Sequence, residues 1–441
     1  MATEPLNTTC CVVGGGPAGV MLGYLLARAG VDVTVLEKHR DFNRDFRGDT
    51  VHPSTLEVMH ELGLLEDFLK LPHQELTHVG GVFGDFAFRT ADFRRLPTHC
   101  KFVALMPQWD FLNFLSSEGK RFSTFRMLMQ HDCVDLIQDE HKIYGVEVHT
   151  PDGPMQIRAH LVIGCDGRHS TTRKAAGLEV IEYGVPIDVL WFRISRRAND
   201  PEVLLGNFNY GRALVLINRG DYFQTGLLIR KGSFAEIQND GMECFRQTIR
   251  KIAPYIGDTV DELQDWSQIN LLTVQVNRLQ QWYKPGLLCI GDAAHAMSPV
   301  GGVGINLAIQ DAVATANLLA DPLREGRVTE WWLSQVQQRR EFPTRVTQCV
   351  QVFAHGRMQK IFENPGPAKA PWQLKVVFSM PGIQHVLARA VGMGVQPEHI
   401  KGAQPPSVPR MKRIAIGVGV AMGVAALAVG LLRRRWGQAT A

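Results

Sequence analysis

The chain has no CxxC pair and no metal-ligand spacing, although it carries eight cysteines among 441 residues. Their placement argues against a disulfide reductase and against a zinc module. Cys10 and Cys11 stand side by side in an apolar run, and Cys165 and Cys289 follow other apolar runs. They are expected as small buried hydrophobes in a reducing compartment. Charge of one sign is lacking too, since the formal net charge is only +4. No basic stripe alternates with aromatic residues, so nucleic acid is not an expected partner. The opening "MATEPLNTT" holds an acid and no basic n-region, so no signal peptide is expected.

What is present is an ordinary globular composition, 45% apolar and 20% charged, enough for one large or two intertwined domains. Residues 10–13, "CCVV", read as a buried strand, followed by a glycine cluster. A helix is predicted from about Pro17 to Arg28, and "VDVTVLEK" (31–38) gives a second strand with Glu37 near its end. Strand, glycine turn, helix and strand make one βαβ unit of the parallel type. Gly14, Gly16 and Gly19 match GxGxxG. Such glycines permit a tight turn, close approach of a pyrophosphate and close helix–strand packing, with helix amides facing the phosphates. Glu37 falls where an acid accepts hydrogen bonds from a ribose; the alternative is a solvated strand-end acid.

Further along, residues 53–71 read as a helix with Ser54 as N-cap. Short Phe- and Gly-containing pieces between His73 and Lys101 suggest strands of a second sheet. "PQWDFLNFLSSEGK" begins a helix, and "HLVIGCDG" is a strand ending in an acid–glycine pair. From about Gly177 to Gln275, "IDVLWFRIS", "ALVLINR" and "YFQTGLLIR" predict an antiparallel layer able to wall a cleft. "PGLLCIGD" (285–292) then returns to a buried parallel-type strand, and the chain is helical to about 355. Residues 414–432 are 19 in a row without charge. A helix of that length spans about 28 Å, close to the bilayer hydrocarbon. The segment is therefore expected to be a C-terminal transmembrane helix, and Gly419 with Gly423 allows pairing into a homodimer.

Three blocks together resemble the FAD-dependent aromatic hydroxylases, single-component flavoprotein monooxygenases with the para-hydroxybenzoate hydroxylase fold. They are "VVGGGPAGV" (12–20), "GCDGRHSTTR" (164–173) and "CIGDAAHAMSPVGGVGINLAIQDA" (289–312). The resemblance implies an α/β fold: a Rossmann-like FAD-binding domain (1–73, 101–177 and 276–355) with an inserted antiparallel-sheet substrate domain (74–100 and 178–275). A C-terminal helical region and linker (356–409) and the membrane helix would follow. It implies FAD held by Gly14, Gly16, Ala18, Gly19 and Glu37 at the adenosine and pyrophosphate end. Arg47 and Gln108 would approach the pyrophosphate or ribityl chain, Asp166 and Gly167 would place FAD, and Asp292 would contact a ribityl hydroxyl. Pro299, Gly301, Gly302, Gly304 and Asn306 would wrap the isoalloxazine ring.

The residues give their own reason for that last loop. Glycines let backbone N–H groups meet a flat ring without Cβ clashes, and the helix beginning near Gly304 turns its positive end to the same place. For Asp292 the alternative is an N-cap, and His295 is expected as a packed histidine.

The implied reaction is hydroxylation of an aromatic or other electron-rich lipophilic substrate by O2, through a flavin C4a-hydroperoxide. NADPH or NADH would serve as a transient reductant, because no second GxGxxG block is present. An oxidase, dehydrogenase or double-bond reductase of the same fold is the alternative, and a flavin-binding scaffold is a third reading. Trp191, Arg193, Asn209, Tyr210, Tyr222 and Gln224 are candidates for the substrate face, although an exposed sheet explains most of them. Arg193, Arg196, Arg197, Arg212, Arg219 and Arg230 could receive a carboxylate. No catalytic side chain is singled out. The expected location is single-pass membrane attachment by the C-terminal anchor, with the catalytic part in the cytoplasm.

Overall fold

The computed structural model describes residues 4–43, 50–197, 200, 206–364 and 366–401. The first unit is β1 (Leu6–Val13), α1 (Pro17–Arg28) and β2 (Val33–Glu37). Cys10, Cys11 and Val12 have no exposed surface, as a strand covered on both faces requires. β1 pairs in parallel with β2 on one side and with Gly153–Gly164 on the other. Phe125–Met129 extends the sheet beyond β2, and Leu287–Cys289 extends it beyond Gly153–Gly164, both again parallel. Strand order therefore reverses at β1, which opens a crevice past its carboxyl end.

Register decides what meets there. Val13 lies opposite Leu36 and Gly164, and Gly164 lies opposite Cys289. The glycine turn after β1, the Cys165–Arg173 stretch and the Ile290–Ala294 stretch consequently leave the sheet along one edge. Three segments far apart in the chain are brought together by strand pairing alone.

A second, seven-stranded sheet runs in the order Asn270–Leu272, Ile187–Ser195, Tyr222–Arg230, Arg212–Asn218, Gly206–Asn209, His78–Phe83 and Phe86–Asp92. It departs from the antiparallel expectation at one seam, where Gly206–Asn209 pairs in parallel with His78–Phe83. Those strands come from distant segments rather than from one hairpin, so no tight turn dictates their direction. Leu190, Phe192 and Ile194 face a core shared with the Met242–Ile252 helix. Residues of opposite parity face away from that core, as a pleated strand demands.

Two local expectations are corrected. The 53–71 helix is split into Pro53–Glu61 and Leu65–Phe68, with Gly63 at φ +73° in the break. Ser54 sits inside the first piece, whose N-cap is His52 and whose first helical residue is Pro53.

The transmembrane expectation also requires correction. Among the described residues no helix is long and apolar enough to cross a membrane. The two longest, Gly304–Arg324 and Glu330–Phe362, are interrupted by polar and charged residues such as Asn306, Gln310, Asp311, Arg339, Arg340 and Glu341. The 414–432 stretch, with Gly419 and Gly423, lies outside the described residues. An uncharged run is a statement of composition and does not by itself establish a spanning helix. The fold is therefore assigned as α/β with an inserted sheet, and the membrane helix, the membrane as partner and the single-pass location are withdrawn.

Candidate functional site

The glycine turn is built by exclusion. Gly14 has φ +108°, and a Cβ there would lie 2.4 Å from the Cys165 carbonyl oxygen. At Gly19 a Cβ would lie 1.9 Å from the Gly14 oxygen, so α1 can pack on β1 only without a side chain. Gly16 differs: nothing lies within 4 Å of its Cβ position. It is the N-cap of α1, with no side-chain cap and no acid in the first turn. Such an exposed positive helix end suits an anionic group. Glu37 ends β2 beside this turn, its Oε2 accepting from Gly15 N at 3.2 Å and its Oε1 from His39 N at 3.0 Å. Ala18 is buried in α1, and its Cβ is what a side chain at Gly291 would meet at 3.2 Å.

Asp166 is engaged locally. Its carboxylate accepts from Thr172 N at 2.9 Å and from Thr172 Oγ1 at 3.0 Å, which shapes the turn into the short helix Thr171–Ala175. Gly167 follows at φ +81°, a left-handed position. Two arginines of the same block, not singled out from sequence, reach across to the third block. Arg168 Nη2 donates to Asp292 Oδ2 at 3.2 Å, and Arg173 Nη1 donates to the Ala293 oxygen at 3.2 Å. Arg173 also donates to the Arg168 carbonyl. Asp292 is thus oriented by a cation and does not serve as the N-cap of its own short turn.

The glycine loop before Gly304 is held from two sides. Gly302, at φ +62°, presses on Thr50, where a Cβ would come within 2.4 Å of Thr50 Oγ1. Thr50 Oγ1 donates to the Gly302 oxygen at 3.0 Å. Asn306 is fully occupied: Oδ1 accepts from His52 N and Thr55 Oγ1, while Nδ2 donates to the Thr50 and Gly302 oxygens. Its side chain fastens the loop and has no capacity left for another partner. Gly301, at φ +86°, is exposed, and a Cβ there would meet only Val303 Cγ1 at 3.7 Å. Pro299 and Gly304 are partly exposed beside it, and the Gly304–Arg324 helix begins with no side-chain cap. Gln108 stands at the first position of the helix Gln108–Gly119, partly buried. Arg47 lies outside the described residues.

Beneath this edge runs a buried ionic chain that sequence reasoning did not find. Asp311 Oδ2 accepts from Gly291 N at 3.1 Å and from His295 Nε2 at 2.6 Å, while Oδ1 accepts from Arg340 Nε at 2.9 Å. Arg340 continues to Glu398 Oε1 at 3.1 Å, and Arg339 closes on the same carboxylate. Burial alone would raise the Asp311 pKa, but His295 and Arg340 outweigh it and hold the carboxyl below its usual range. His295 is accordingly a packed residue, as expected.

Of the six candidates on the second sheet, Trp191 alone shares an apolar cluster with Val300 of the glycine loop. Val189, Val215, Met358 and Phe362 belong to the same cluster. Arg193 is exposed and stacks over the Tyr222 ring at 3.9 Å. Asn209 accepts from the Tyr210 and Ala368 amides, and Gln224 accepts from the Arg219 guanidinium. Apart from the Ala368 amide, which ties the sheet to the 366–371 segment, these are contacts within the sheet and its turns.

A family described as an FAD binding domain matches residues 7–350. The 6-methylpretetramide 4-monooxygenase of Streptomyces rimosus is 31% identical over 395 residues, 87% of this chain and 92% of that protein. The rifampicin monooxygenase of Streptomyces venezuelae is 32% identical over 306 residues, 68% of this chain and 61% of the relative. In the crystal structure of CabE, an aromatic hydroxylase from angucycline biosynthesis, the same fold is seen with a TM-score of 0.67. Identity there is 23%, over 87% of this chain and 76% of that one. The chain belongs to the FAD-binding family of aromatic flavoprotein monooxygenases. It is an enzyme that uses FAD and NAD(P)H for monooxygenation.

Proposed function

We propose that the enzyme hydroxylates an extended, electron-rich aromatic substrate bound between the Trp191 face of the second sheet and the 299–304 loop. One observation carries this reading: Trp191 and Val300 stand in a single apolar cluster, so the sheet's inner face and the loop share a water-poor wall. Val189, Val215, Met358 and Phe362 would desolvate and orient a ring there. Relatives named for 6-methylpretetramide and for aromatic hydroxylation lend support.

On the same reading, FAD lies along the crevice. Gly14, Gly16, Gly19 and the α1 amides receive the pyrophosphate, and Ala18 contributes by its smallness. Glu37 accepts the adenosine ribose hydroxyls, and Asp292 accepts a ribityl hydroxyl, with Gln108, Asp166 and Gly167 nearby; the role of Arg47 at the pyrophosphate or ribityl chain is carried by the family resemblance alone. Pro299, Gly301, Gly302, Gly304 and Asn306 shape the ring's seat, Asn306 through the backbone it fastens. When bound, FAD reduced by NADPH or NADH supplies the electrons for activating O2 and inserting one oxygen atom into the substrate. The chain's own tasks are orientation, exclusion of water and stabilisation of negative charge at the ring by the uncapped Gly304 helix end. The corresponding domain limits are 1–73, 101–177 and 276–355 for FAD binding and 74–100 with 178–275 for the substrate, 356–409 being a helical region and linker.

The test is NAD(P)H oxidation by the purified chain with a panel of polycyclic phenols and quinones, followed by product mass. Gain of one oxygen atom supports the proposal. A change of two hydrogens favours the oxidase, dehydrogenase or reductase reading instead, and NAD(P)H loss with peroxide release and unaltered ring compounds counts against both.

A further inference from the structure

The 298–302 loop is gripped by a helix that no local motif connects to it. On Glu330–Phe362, Gln351 and His355 are one turn apart and therefore lie on one face. Gln351 Oε1 accepts from Ser298 N at 3.0 Å, while its Nε2 donates to the Ser298 oxygen at 3.0 Å and the Val300 oxygen at 3.1 Å. His355 Nε2 lies 2.9 Å from Ser298 Oγ, which itself accepts from Val300 N at 3.2 Å. The hydroxyl keeps a second lone pair as well as its proton, so the direction of the Ser298–His355 hydrogen bond follows the imidazole tautomer, and either direction ties the ring to Ser298. Gln351 is 5% exposed and His355 has no exposed surface. Burial pushes the His355 pKa down to about 4, so the imidazole is neutral and able to accept.

Two side chains thus fix the backbone of Ser298 and Val300, while Thr50 and Asn306 fix Gly302 from the opposite side. Pro299 and Gly301 are suspended between the two grips. We propose that Gln351 and His355 are positioning residues that set the shape of this loop and thereby seat the flavin ring. The inference rests on the ring site proposed above. Neither residue touches the adenine half of the site, whose glycine turn and Glu37 sit at β1 and β2. Their loss should therefore be felt at one end of FAD only.

The experiment compares FAD and ADP binding to the full-length apoprotein, ADP probing the adenine half alone. Gln351→Leu leaves three backbone groups without their partner, two of them in buried hydrogen bonds, so FAD affinity should fall about tenfold or more while ADP affinity stays within about twofold. The visible absorption band of the remaining bound flavin should shift, reporting an altered ring environment. His355→Leu should act in the same direction. His355→Gln, whose terminal amide can either accept from Ser298 Oγ through its oxygen or donate to it through its nitrogen, should restore FAD affinity to within about threefold of the unaltered chain. FAD binding unchanged in Gln351→Leu, or FAD and ADP affinities falling together in both leucine variants, overturns the proposal. An unaltered chain that takes up ADP but no FAD overturns the ring site as well.

Discussion

Arg168 and Asp292 meet across 124 residues of sequence, guanidinium Nη2 to carboxylate Oδ2 at 3.2 Å. Their side chains remain 26% and 30% exposed, so the pair contributes at most about 1 kcal/mol to stability. What it does is aim Asp292 at the crevice edge. Asp292→Ala should weaken FAD binding about tenfold or more by removing a charged acceptor, while unfolding free energy changes by about 1 kcal/mol or less. Flavin titration and urea unfolding of the same apoprotein read the two effects. A large stability loss with unchanged FAD affinity would make Asp292 a structural residue only.

Gly16 and Gly19 belong to one motif but should respond oppositely to the same change. Gly16 has ordinary φ and open space at its Cβ position. Gly16→Ala should leave stability within about 1 kcal/mol, the cost of a poorer N-cap, yet reduce FAD affinity by crowding the phosphate approach. Gly19→Ala drives a methyl into the Gly14 oxygen and should destabilise the apoprotein by about 2 kcal/mol or more. Thermal melts of both variants without FAD, then FAD titration of Gly16→Ala, check the contrast. Equal melting losses would contradict it.

That contrast also marks what the sequence could reveal. Glycine spacing and the strand on either side are local signals, so β1, α1 and β2 were readable from the residues, whereas the convergence of the three blocks was implied only by the family resemblance. Arg168 and Arg173 were in plain view within the second block, but only the strand register of Gly164 against Cys289 shows what they reach. Asp311, next to last in the third block, looks like any helix acid until Arg340 is seen behind it. Gln351 and His355 carried no signal, because a loop-gripping side chain on a later helix is a tertiary fact. Asn306, expected to wrap the ring, stands in the first turn of the Gly304–Arg324 helix, and its amide is consumed by protein partners. The parallel seam of Gly206–Asn209 with His78–Phe83 was illegible for the same non-local reason. The uncharged 414–432 run was the opposite case, a strong local signal with no tertiary check, and the membrane reading built on it was not upheld.

Arg340 is the hinge of the buried ionic chain, with less than 2% of its surface exposed and a carboxylate on either side. Arg340→Leu takes the shared cation from two buried carboxylates, leaving Asp311 to His295 and Glu398 to Arg339, which should cost about 3 kcal/mol of stability. Replacing all three groups by apolar residues should cost less than the single change. The acid side follows from the depressed Asp311 pKa. Its contribution is present above the unfolded carboxyl pKa and is lost as pH falls through the lower folded value. Urea unfolding of Arg340→Leu, and of Asp311→Asn across the acid range, measures both. A destabilisation below about 1 kcal/mol in Arg340→Leu would show the chain to be energetically idle.

His52 gives the pH dependence with the opposite type of group. Its ring is 2% exposed, with Nδ1 2.9 Å from the Val391 oxygen, and burial pushes its pKa down from 6.5 to about 4 despite that hydrogen bond. The unfolded chain therefore binds the proton more tightly than the folded one. The contribution of neutral His52 is complete above the unfolded pKa and is lost as pH falls from about 6.5 towards 4, by about 3 kcal/mol at most. His355 is displaced in the same direction and acts in the same window. His52→Asn keeps an amide donor near the Nδ1 position and cannot titrate, so it should flatten the stability profile between about pH 4 and 6.5. His52→Asn combined with His355→Gln should flatten it further. Urea unfolding of the apoprotein at intervals across that range is the measurement, and a profile as steep in the double variant as in the unaltered chain would show that protons are taken up elsewhere.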